Sequence, residues 1–576
     1  MALFNKQRAF VLAVSAAPIL FYWLYTNTTM HPLIAGAFST WLAATATQAY
    51  CPPPGPLLPP PKVLSNTTKL IVPDTTFANV SWSSDTSFAV KASIGDVTVF
   101  EHEYSAPGRE VGQSLFDTII RVGSVTKTFV MLAVLLSADK IKLSDSITKF
   151  ISELDEQAYR DVTIAALASH TSGLGRWIYV GDLAIVPGFN PAILGLPSVN
   201  ATGVKMSTCD LFPGTRVCTR EEIVAGLNNP AYHPRSPNSG PVYSNIGYTL
   251  LGMALAAVHN KTPEQAIQDL VINPLGLNKT KFTVPERGGE ALLPRFKADE
   301  RWFVPSFGNY DPSGGLWSTP SDQLAFLQSV LSNKLISKPA TRRWLQPRAV
   351  LPSLHQAVGE SWEIFRPTDI DLATPRAIDV FTKTGGVTGY AAHAVIVPEY
   401  NIALTINAAG GQAQDAVSAL FPQMVKPLVA YADKLARQQA RVEYAGTYKA
   451  SAAGVAGSMT LAVDDGPGVA LNELTMNGVQ VLQSLAAMQK IPYESLSARL
   501  YPTDPDSLGT DREVWRISVD RKDRKQEFAE RECASWFMGD PFRYVTAPLD
   551  TVVFTRGENG VEGLELLGWR AKLDRI

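Results

Sequence analysis

The chain has 576 residues, and its 51 lysines and arginines against 53 aspartates and glutamates give a formal net charge of −2. Hydrophobic residues make up 46 % of the sequence, which excludes a disordered or collagen-like chain. The near-neutral charge, without a basic stretch, argues against nucleic acid as the main partner. At roughly 100–200 residues per domain, the length predicts about two to four domains.

Residues 1–50 are predicted to be a signal peptide or a membrane signal anchor. Lys6 and Arg8 precede an uncharged apolar run at residues 9–25, whose length lies at the lower limit for spanning a bilayer. The next lysine or arginine is Lys62, so the charge bias places the N-terminus in the cytosol and the rest of the chain outside. A cleaved signal peptide and a retained single-pass anchor both fit the sequence. In either case we expect a secreted or membrane-anchored protein with its bulk on the extracytoplasmic side.

Candidate N-glycosylation sites also favour export. Six asparagines begin N-x-[ST] triplets, the acceptor sequence for N-glycans: Asn27, Asn66, Asn79, Asn200, Asn260 and Asn278.

The four cysteines are an even number and allow three disulfide connectivities. Cys209 and Cys218 could close a short loop, while Cys51 and Cys533 could join the start of the exported part to its far end. No C-x-x-C pair occurs, which argues against a zinc site or a dithiol redox site.

The elements that follow predict a mixed α/β domain. Prolines predict a stiff, extended segment over residues 51–84. Alternating apolar residues at Ser87–Ile94 and 96–100 then predict a β-hairpin. Residues 124–138 are mostly apolar and contain no glycine or proline, which predicts a buried helix.

A change in the residue pattern near residue 440 predicts a domain boundary. Strand-like runs occur within residues 376–408, and a helix is predicted around residues 428–440. Beyond Tyr444 the sequence has short alternating strands, Asp/Gly turns and little helix. We therefore predict a first domain at 85–440 and a smaller, β-rich C-terminal domain at 441–576.

The sharpest local feature is Ser124, three residues before Lys127 at the start of the predicted helix. Residues three apart share a helical face, so the amine can reach the hydroxyl. The positive end of the helix dipole favours a developing alkoxide and opposes a protonated lysine. Both effects favour an activated nucleophile. Taken alone, however, this S-x-x-K pattern is explained more simply by a serine that caps a helix.

Two later motifs change the interpretation: Y-S-N at residues 243–245 and K-T-G-G at residues 383–386. With S-x-x-K, Y-x-N and K-T-G in this order, the chain resembles the serine β-lactamase and penicillin-binding-protein superfamily. The order and the tyrosine are similar to class C β-lactamases, their esterase relatives and D-Ala-D-Ala carboxypeptidases of the same type. Further stretches similar to this family are residues 167–174, 273–277 and 311–319. The resemblance covers about residues 85–435. Residues 444–448 and 533–536 are similar to fungal secreted members.

The resemblance implies a role for each residue of the three motifs. Ser124 would attack an acyl carbonyl and form an acyl-enzyme. Tyr243, between Lys127 and Lys383, would act as the general base and later as the acid. Asn245 would orient Lys127 and donate a hydrogen bond to the substrate.

The K-T-G-G strand would form the other wall of the site. Lys383 would bind a substrate oxygen or carboxylate, with Thr384 and Gly385 beside it. The backbone N–H groups of Ser124 and Gly386 would form the oxyanion hole.

Several features of the sequence also allow other interpretations. Without the other motifs, Tyr243 could be a core residue and K-T-G-G an ordinary turn. His170 and Ser172 resemble a Ser-His pair, but we predict a structural loop in which His170 is hydrogen-bonded in the core. The scattered histidines contain no H-E-x-x-H, which argues against a metal site. A class A enzyme would need S-D-N where this chain has Y-S-N.

The resemblance implies a β-lactamase/transpeptidase-like sandwich, with helices on both faces of an antiparallel sheet and an all-helical subdomain. It also implies an exported serine acyl hydrolase or acyltransferase that cleaves an ester, amide or lactam through an acyl-Ser124 intermediate. The substrate would be a small molecule, no cofactor is expected, and fungal relatives suggest a role in secondary metabolism. The alternative is a penicillin-binding-like receptor or interaction protein that does not turn over.

Apolar residues within 181–218 are expected either to line the pocket rim or to pack against the core.

Overall fold

The computed structural model describes residues 52–63, 81–108, 113–180, 182–185, 189–202, 207, 209–211, 216–286, 290–303, 305–450, 455–522, 534–537 and 539–576. The predicted signal or anchor, Cys51, Cys533 and three candidate glycosylation sites (Asn27, Asn66 and Asn79) lie outside these ranges. Asn200, Asn260 and Asn278 are exposed. Within the described ranges, no helix has both the length and the apolar character needed to cross a bilayer.

The first domain is built on an antiparallel sheet of eight strands. In chain order the strands up to residue 409 are β1 (Ser87–Ile94), β2 (Val97–Tyr104), β3 (Ile120–Arg121), β4 (Trp317–Ser318), β5 (Pro347–Val350), β6 (Gln356–Gly359), β7 (Glu363–Phe365), β8 (Val380–Val387), β9 (Tyr390–Val397) and β10 (Ile402–Ala409). The sheet order is β2-β1-β10-β9-β8-β7-β6-β5, and β3 and β4 form a separate two-stranded ribbon. The predicted hairpin is confirmed as β1 and β2, with the second strand longer than expected.

Helices cover both faces of this sheet. The helices of the first domain are α1 (Thr126–Leu136), α2 (Glu156–Tyr159), α3 (Ile164–Ala168), α4 (Val199–Thr202), α5 (Arg220–Leu227), α6 (Asn245–His259), α7 (Pro263–Ile267), α8 (Asn273–Leu275), α9 (Asp311–Gly314), α10 (Pro320–Leu331), α11 (Lys338–Trp344) and α12 (Ala413–Tyr444). Helix α13 (Val481–Met488) packs in the core of the C-terminal part. The predicted buried helix is confirmed as α1. Helix α10 packs on one face of the sheet and α12 on the other.

The alternation of side chains along the central strands explains the two layers. In β10, Ala403 lies in the core shared with α1 and α10, whereas Ile402 and Leu404 lie in the core shared with α12. Successive side chains of a strand point to opposite faces. Because both faces are buried, the strand is apolar almost throughout rather than at every second residue.

The C-terminal part forms a second, barrel-like sheet. Its strands are β11 (Gly446–Ala450), β12 (Gly457–Ala462), β13 (Val469–Met476), β14 (Val479–Gln480), β15 (Leu496–Pro502), β16 (Arg512–Arg521), β19 (Thr551–Gly557), β20 (Gly560–Leu566) and β21 (Ala571–Arg575), while β17 (Arg543–Tyr544) and β18 (Ala547–Pro548) pair with each other. An extra pairing of β12 with β13 curls the sheet back on itself. The predicted architecture, an antiparallel sheet between helices followed by a mostly-β domain, is confirmed.

Helix α12 contributes side chains to both domains. Leu420 and Met424 lie in the core of the first domain, and Ala440 and Tyr444 lie in the core of the second. Its 32 residues run through position 440, where the sequence predicts a boundary. The proline-rich segment lies along this junction, because Leu58 is buried in the second core and Lys62 exchanges two hydrogen bonds with Gln439.

Candidate active site

Ser124 lies at the entrance to helix α1. It belongs to a 3₁₀ turn, Gly123–Val125, that runs directly into the helix. Lys127 is in the first helical turn, fully buried, and its Nζ donates to Ser124 Oγ at 2.9 Å. Ser124 itself is half-buried. The predicted spacing therefore places the amine against a hydroxyl that a substrate can reach.

Tyr243 and Asn245 come from the start of helix α6. The Ser244 side chain caps this helix by accepting from Gly247 N at 3.0 Å. The Tyr243 hydroxyl donates to Ser124 Oγ at 2.7 Å. Asn245 Oδ1 accepts from Lys127 Nζ at 2.7 Å. With Ser124 and the Ser313 carbonyl as the other acceptors, all three ammonium donors of Lys127 are used.

Lys383 reaches the same point from the middle of the sheet. It lies on β8 and is 1 % exposed. Its Nζ is 5.2 Å from the centroid of the Tyr243 ring, the same distance as Lys127 Nζ. Three segments that are far apart in sequence thus bring one hydroxyl, two amines and one phenol together.

The two lysines control the protonation of Tyr243. Burial alone would raise the pKa of Tyr243, but the charges of Lys127 and Lys383 outweigh burial and lower it to about 8. For Lys127, whose charged form is the protonated one, burial lowers the pKa to about 8, although the charge of Tyr243 partly opposes this effect. Two neighbouring groups therefore titrate close to neutrality, so that a proton can pass between them and Ser124.

Backbone N–H groups lie beside the nucleophile. Gly123 has a φ of +53°, and a Cβ there would lie 2.5 Å from Gly386 N. A Cβ at Gly385 would collide with the Val122 carbonyl and lie 2.9 Å from Ser124 N. Glycine is required at both positions for β8 to approach the turn that holds Ser124. The backbone nitrogens of Ser124 and Gly386 therefore both lie at the contact between β8 and this turn.

Comparison with known proteins identifies the family. A family profile described as Beta-lactamase matches residues 89–421, which is more than half of the chain. The chain belongs to the β-lactamase family. A second profile, described as the C-terminal domain of β-lactamase-like proteins, matches residues 436–576.

Several known proteins are similar to most of this chain. A "Beta-lactamase-like protein" of Arthroderma benhamiae is 28 % identical and is matched over 76 % of this chain and 77 % of its own. "Probable hydrolase M10" of a Phoma species is also 28 % identical, over 83 % of this chain and 82 % of its own. The solved structure of a β-lactamase/D-alanine carboxypeptidase from Yersinia pestis has a TM-score of 0.46 and 22 % identity, over 63 % of this chain and 96 % of that one.

Glu363 is a residue of this β-lactamase-family site that sequence reasoning missed. It begins strand β7, forms an ion pair with Lys383, and accepts hydrogen bonds from the backbone N–H of Thr384 at 3.0 Å and from its hydroxyl at 2.9 Å. Burial would raise the pKa of Glu363, but the Lys383 ammonium outweighs burial and lowers it. No sequence pattern marked this glutamate, because only the pairing of β7 with β8 brings it to the K-T-G-G strand.

His170 and Arg176 surround the Tyr243 ring. His170 is buried, its Nδ1 accepts from Ser244 N at 3.1 Å, and its ring centroid lies 4.5 Å from that of Tyr243. The prediction that His170 is buried and hydrogen-bonded is confirmed by these contacts. Arg176 is exposed, with its guanidinium 5.2 Å from the same ring. Neither the histidine nor the arginine touches Ser124 in the contacts of the described residues.

A disulfide closes part of the segment at residues 181–218. The predicted Cys209–Cys218 bond is confirmed, and both cysteines are buried. Four of the apolar side chains expected there are exposed: Leu183, Ile193, Leu194 and Leu196. Packing against the core, one of the two expectations for these residues, is therefore wrong for these four. The Cys51–Cys533 pairing lies outside the described residues, although their neighbours Pro52 and Ser535 share a 2.8 Å hydrogen bond.

Proposed function

We propose that the protein is a serine acyl hydrolase or acyltransferase that cleaves an ester, amide or lactam through an acyl-Ser124 intermediate. The observation that carries this proposal is the position of Ser124 Oγ, which lies within hydrogen-bond distance of both Lys127 Nζ (2.9 Å) and Tyr243 Oη (2.7 Å). A serine hydroxyl becomes a good nucleophile when an adjacent base can take its proton. Tyr243, with a pKa of about 8, supplies that base near neutral pH.

The acylation step follows from this geometry. Tyr243 in its phenolate form takes the Ser124 proton as Oγ bonds to the acyl carbonyl carbon. Negative charge then develops on the carbonyl oxygen, where the N–H groups of Ser124 and Gly386 stabilise it. Collapse of the intermediate breaks the bond to the alcohol or amine, and Tyr243 returns the proton to that leaving group. Lys127 and Lys383 stabilise Tyr243 whenever it is deprotonated, before it takes the Ser124 proton and after it has given that proton to the leaving group.

Deacylation uses the same groups with a different nucleophile. Water, deprotonated by Tyr243, would release an acid and give hydrolysis, whereas an alcohol or amine would give acyl transfer. The relative described as a probable hydrolase supports the hydrolytic outcome.

We also propose that the protein is exported. The Cys209–Cys218 disulfide supports this location, because such bonds persist in oxidising compartments and are rare in the cytosol. The three exposed N-x-[ST] asparagines of the described residues are compatible with glycosylation.

Covalent labelling tests the proposed intermediate. The full-length protein is treated with a fluorophosphonate and its intact mass is measured, alongside Ser124→Ala and the exposed control Ser332→Ala. We expect one adduct on the wild type and on Ser332→Ala, and no adduct on Ser124→Ala. A folded wild type without an adduct would overturn the proposal.

Turnover distinguishes the enzyme from a receptor. In a screen of p-nitrophenyl esters, we expect Tyr243→Phe to lower the acylation rate by about two to four orders of magnitude, the usual contribution of a general base. Tyr232→Phe, which removes a hydroxyl outside the site, should leave the rate unchanged. An acyl adduct that forms but is never released would instead support a receptor that does not turn over.

A further inference from the structure

A short hairpin of the second domain presents exposed apolar side chains. Its strands, β17 and β18, are joined by a turn of two residues, Val545 and Thr546. Phe542, Tyr544 and Val545 are 60 %, 62 % and 68 % exposed. Large apolar side chains that are exposed next to one another mark a surface that contacts another molecule.

The turn of this hairpin holds its apolar tip in a strained backbone conformation. Val545 has a φ of +43° and Thr546 a φ of +72°. A two-residue hairpin turn of this type needs positive φ at both positions, which glycine and asparagine adopt easily. A β-branched residue is strained there. Such strain persists where a function requires the residue, so the valine indicates a role for its apolar side chain.

The carbonyl groups at the tip already have donors from the protein. Arg570 Nη2 donates to the Val545 carbonyl at 2.8 Å and to the Tyr544 carbonyl at 3.4 Å. Arg543 Nη1 donates to the Thr546 carbonyl at 2.8 Å. Backbone groups that enter an apolar phase need partners within the protein, because no water is available there. The tip meets this requirement for all three carbonyls.

The hairpin lies where the N-terminal part of the chain joins the fold. Ser535 belongs to the same connection between β16 and β19, and its hydroxyl donates to the Pro52 carbonyl at 2.8 Å. Pro52 is the second residue after the predicted signal peptide or anchor, residues 1–50. A retained anchor would therefore enter the membrane close to this hairpin.

One more exposed aromatic residue lies at the same end of the barrel. Tyr493 precedes β15, and the first residue of β15, Leu496, pairs with Arg521 at the end of β16. Lys522, which follows β16 directly, is also exposed. We define the apolar end of the second domain by four residues: Tyr493, Phe542, Tyr544 and Val545.

We propose that this apolar end is a membrane-contact surface, which places the second domain against the headgroup region of a lipid bilayer. Tyrosine is typical of the boundary between lipid and water, because its ring is apolar and its hydroxyl stays hydrated. Phenylalanine and valine can enter the region between the headgroups and the acyl chains. The ammonium of Lys522 can reach lipid phosphates from the same end. The contact is independent of the proposed acyl-Ser124 chemistry.

Photo-crosslinking in the full-length protein tests the proposal. Tyr544 is replaced by the photoreactive residue p-benzoylphenylalanine, and the purified protein is irradiated with phosphatidylcholine vesicles. The control carries the same probe at Leu354, an apolar residue of the first domain that is 90 % exposed. Intact mass measures the covalent lipid. We expect about tenfold more lipid adduct with the probe at position 544 than at position 354.

A second probe at Phe542 keeps the test valid if the first variant does not fold, and it should also label lipid. Equal lipid labelling at positions 544 and 354, or none at either 544 or 542, would overturn the proposal. A crosslink from position 544 to a second copy of the chain, or to residues 1–50 of the same chain, in place of lipid would overturn it as well. Because no substrate is used, failure of the proposed hydrolase function would not change the result.

Discussion

The protonation of Tyr243 depends on charges supplied by residues from two other parts of the chain. Lys127 and Lys383 lower the pKa of Tyr243 to about 8 against the opposing effect of burial. Because the reactive form is the deprotonated one, acylation should become faster as the pH rises and should level off above about pH 8. A pH profile of pre-steady-state acylation measures this directly.

Replacing one of the two cations tests the physical cause. In Lys383→Met the phenolate loses one neighbouring positive charge, so we expect the midpoint of the profile to move upward by about one pH unit or more, towards the ordinary tyrosine value of about 10. The mutation also removes the cation that pairs with Glu363. The negative charge of Glu363 then raises the pKa of Tyr243 further. A profile that stays at pH 8 would show that the titrating group is not Tyr243 beside Lys383.

The residues of the three motifs were predictable from sequence, whereas their partners were not. Ser124, Lys127, Tyr243 and Lys383 converge as expected because each motif begins or lies within a regular element that fixes its direction. Glu363 is one of two glutamates in its stretch of sequence, with Glu360, and belongs to no motif recognised in the sequence. Strand pairing, which depends on the whole sheet, brings it to Lys383. The hydrogen bond from Lys127 to the Ser313 carbonyl could not be predicted either, since every residue type has a backbone carbonyl.

At the scale of elements, the contact between strand β8 and the turn before helix α1 fixes the position of the proposed oxyanion hole. Gly385→Ala would place a methyl group against the Val122 carbonyl and 2.9 Å from Ser124 N, so strand and turn must separate. We expect kcat for ester hydrolysis to fall by about 10²–10³, the usual effect of losing one oxyanion donor. Gly240→Ala, with no atom within 4 Å of the added carbon, should retain normal kcat. Equal activity of both variants would contradict this role for the contact.

Helix α12 shows where prediction from sequence fails at this scale. Pro422 and Pro427 lie inside it, and a proline removes a backbone donor and clashes with the preceding turn. The sequence predicts a helix only around residues 428–440. The first half is helical nonetheless, because Leu420 and Met424 are buried against the sheet. Tertiary packing of an apolar face outweighs the local cost of the two prolines.

At the scale of the whole molecule, a buried arginine on helix α12 connects the two domains. Arg437 pairs with Asp433 on the same helix at 2.9 Å. It also donates to the carbonyls of Asp464 and Gly466 in the second domain and to the Thr374 hydroxyl in the first, at 2.8–3.0 Å.

Removing this arginine should loosen the junction. Arg437→Met leaves the Asp433 carboxylate without its cation, with the Tyr400 hydroxyl as a remaining donor, and leaves several buried acceptors without Arg437. We therefore expect a loss of about 3–5 kcal/mol in the free energy of unfolding. Urea unfolding followed by circular dichroism measures the change. Arg366→Met, which breaks an exposed pair, should cost about 1 kcal/mol or less. Identical midpoints for Arg437→Met and the wild type would contradict the proposed connection.

The sequence predicted two domains, but their connection depends on contacts that no local pattern records. The proline-rich segment was expected to be stiff and extended, and nothing in it indicated that Leu58 would enter the second core. Its hydrogen bonds with Gln439 join residues 377 positions apart.

Helix α12 also limits how such a protein can gain or lose its second domain over evolution. One uninterrupted helix contributes side chains to both cores. Its N-terminal half packs in the first core, and Ala440 and Tyr444 pack in the second. A relative that has only the first domain must end this helix soon after the position of Ala432, or carry polar residues beyond it. The residue types in the last turn of this helix should therefore indicate, from sequence alone, whether a family member has or has lost a second domain.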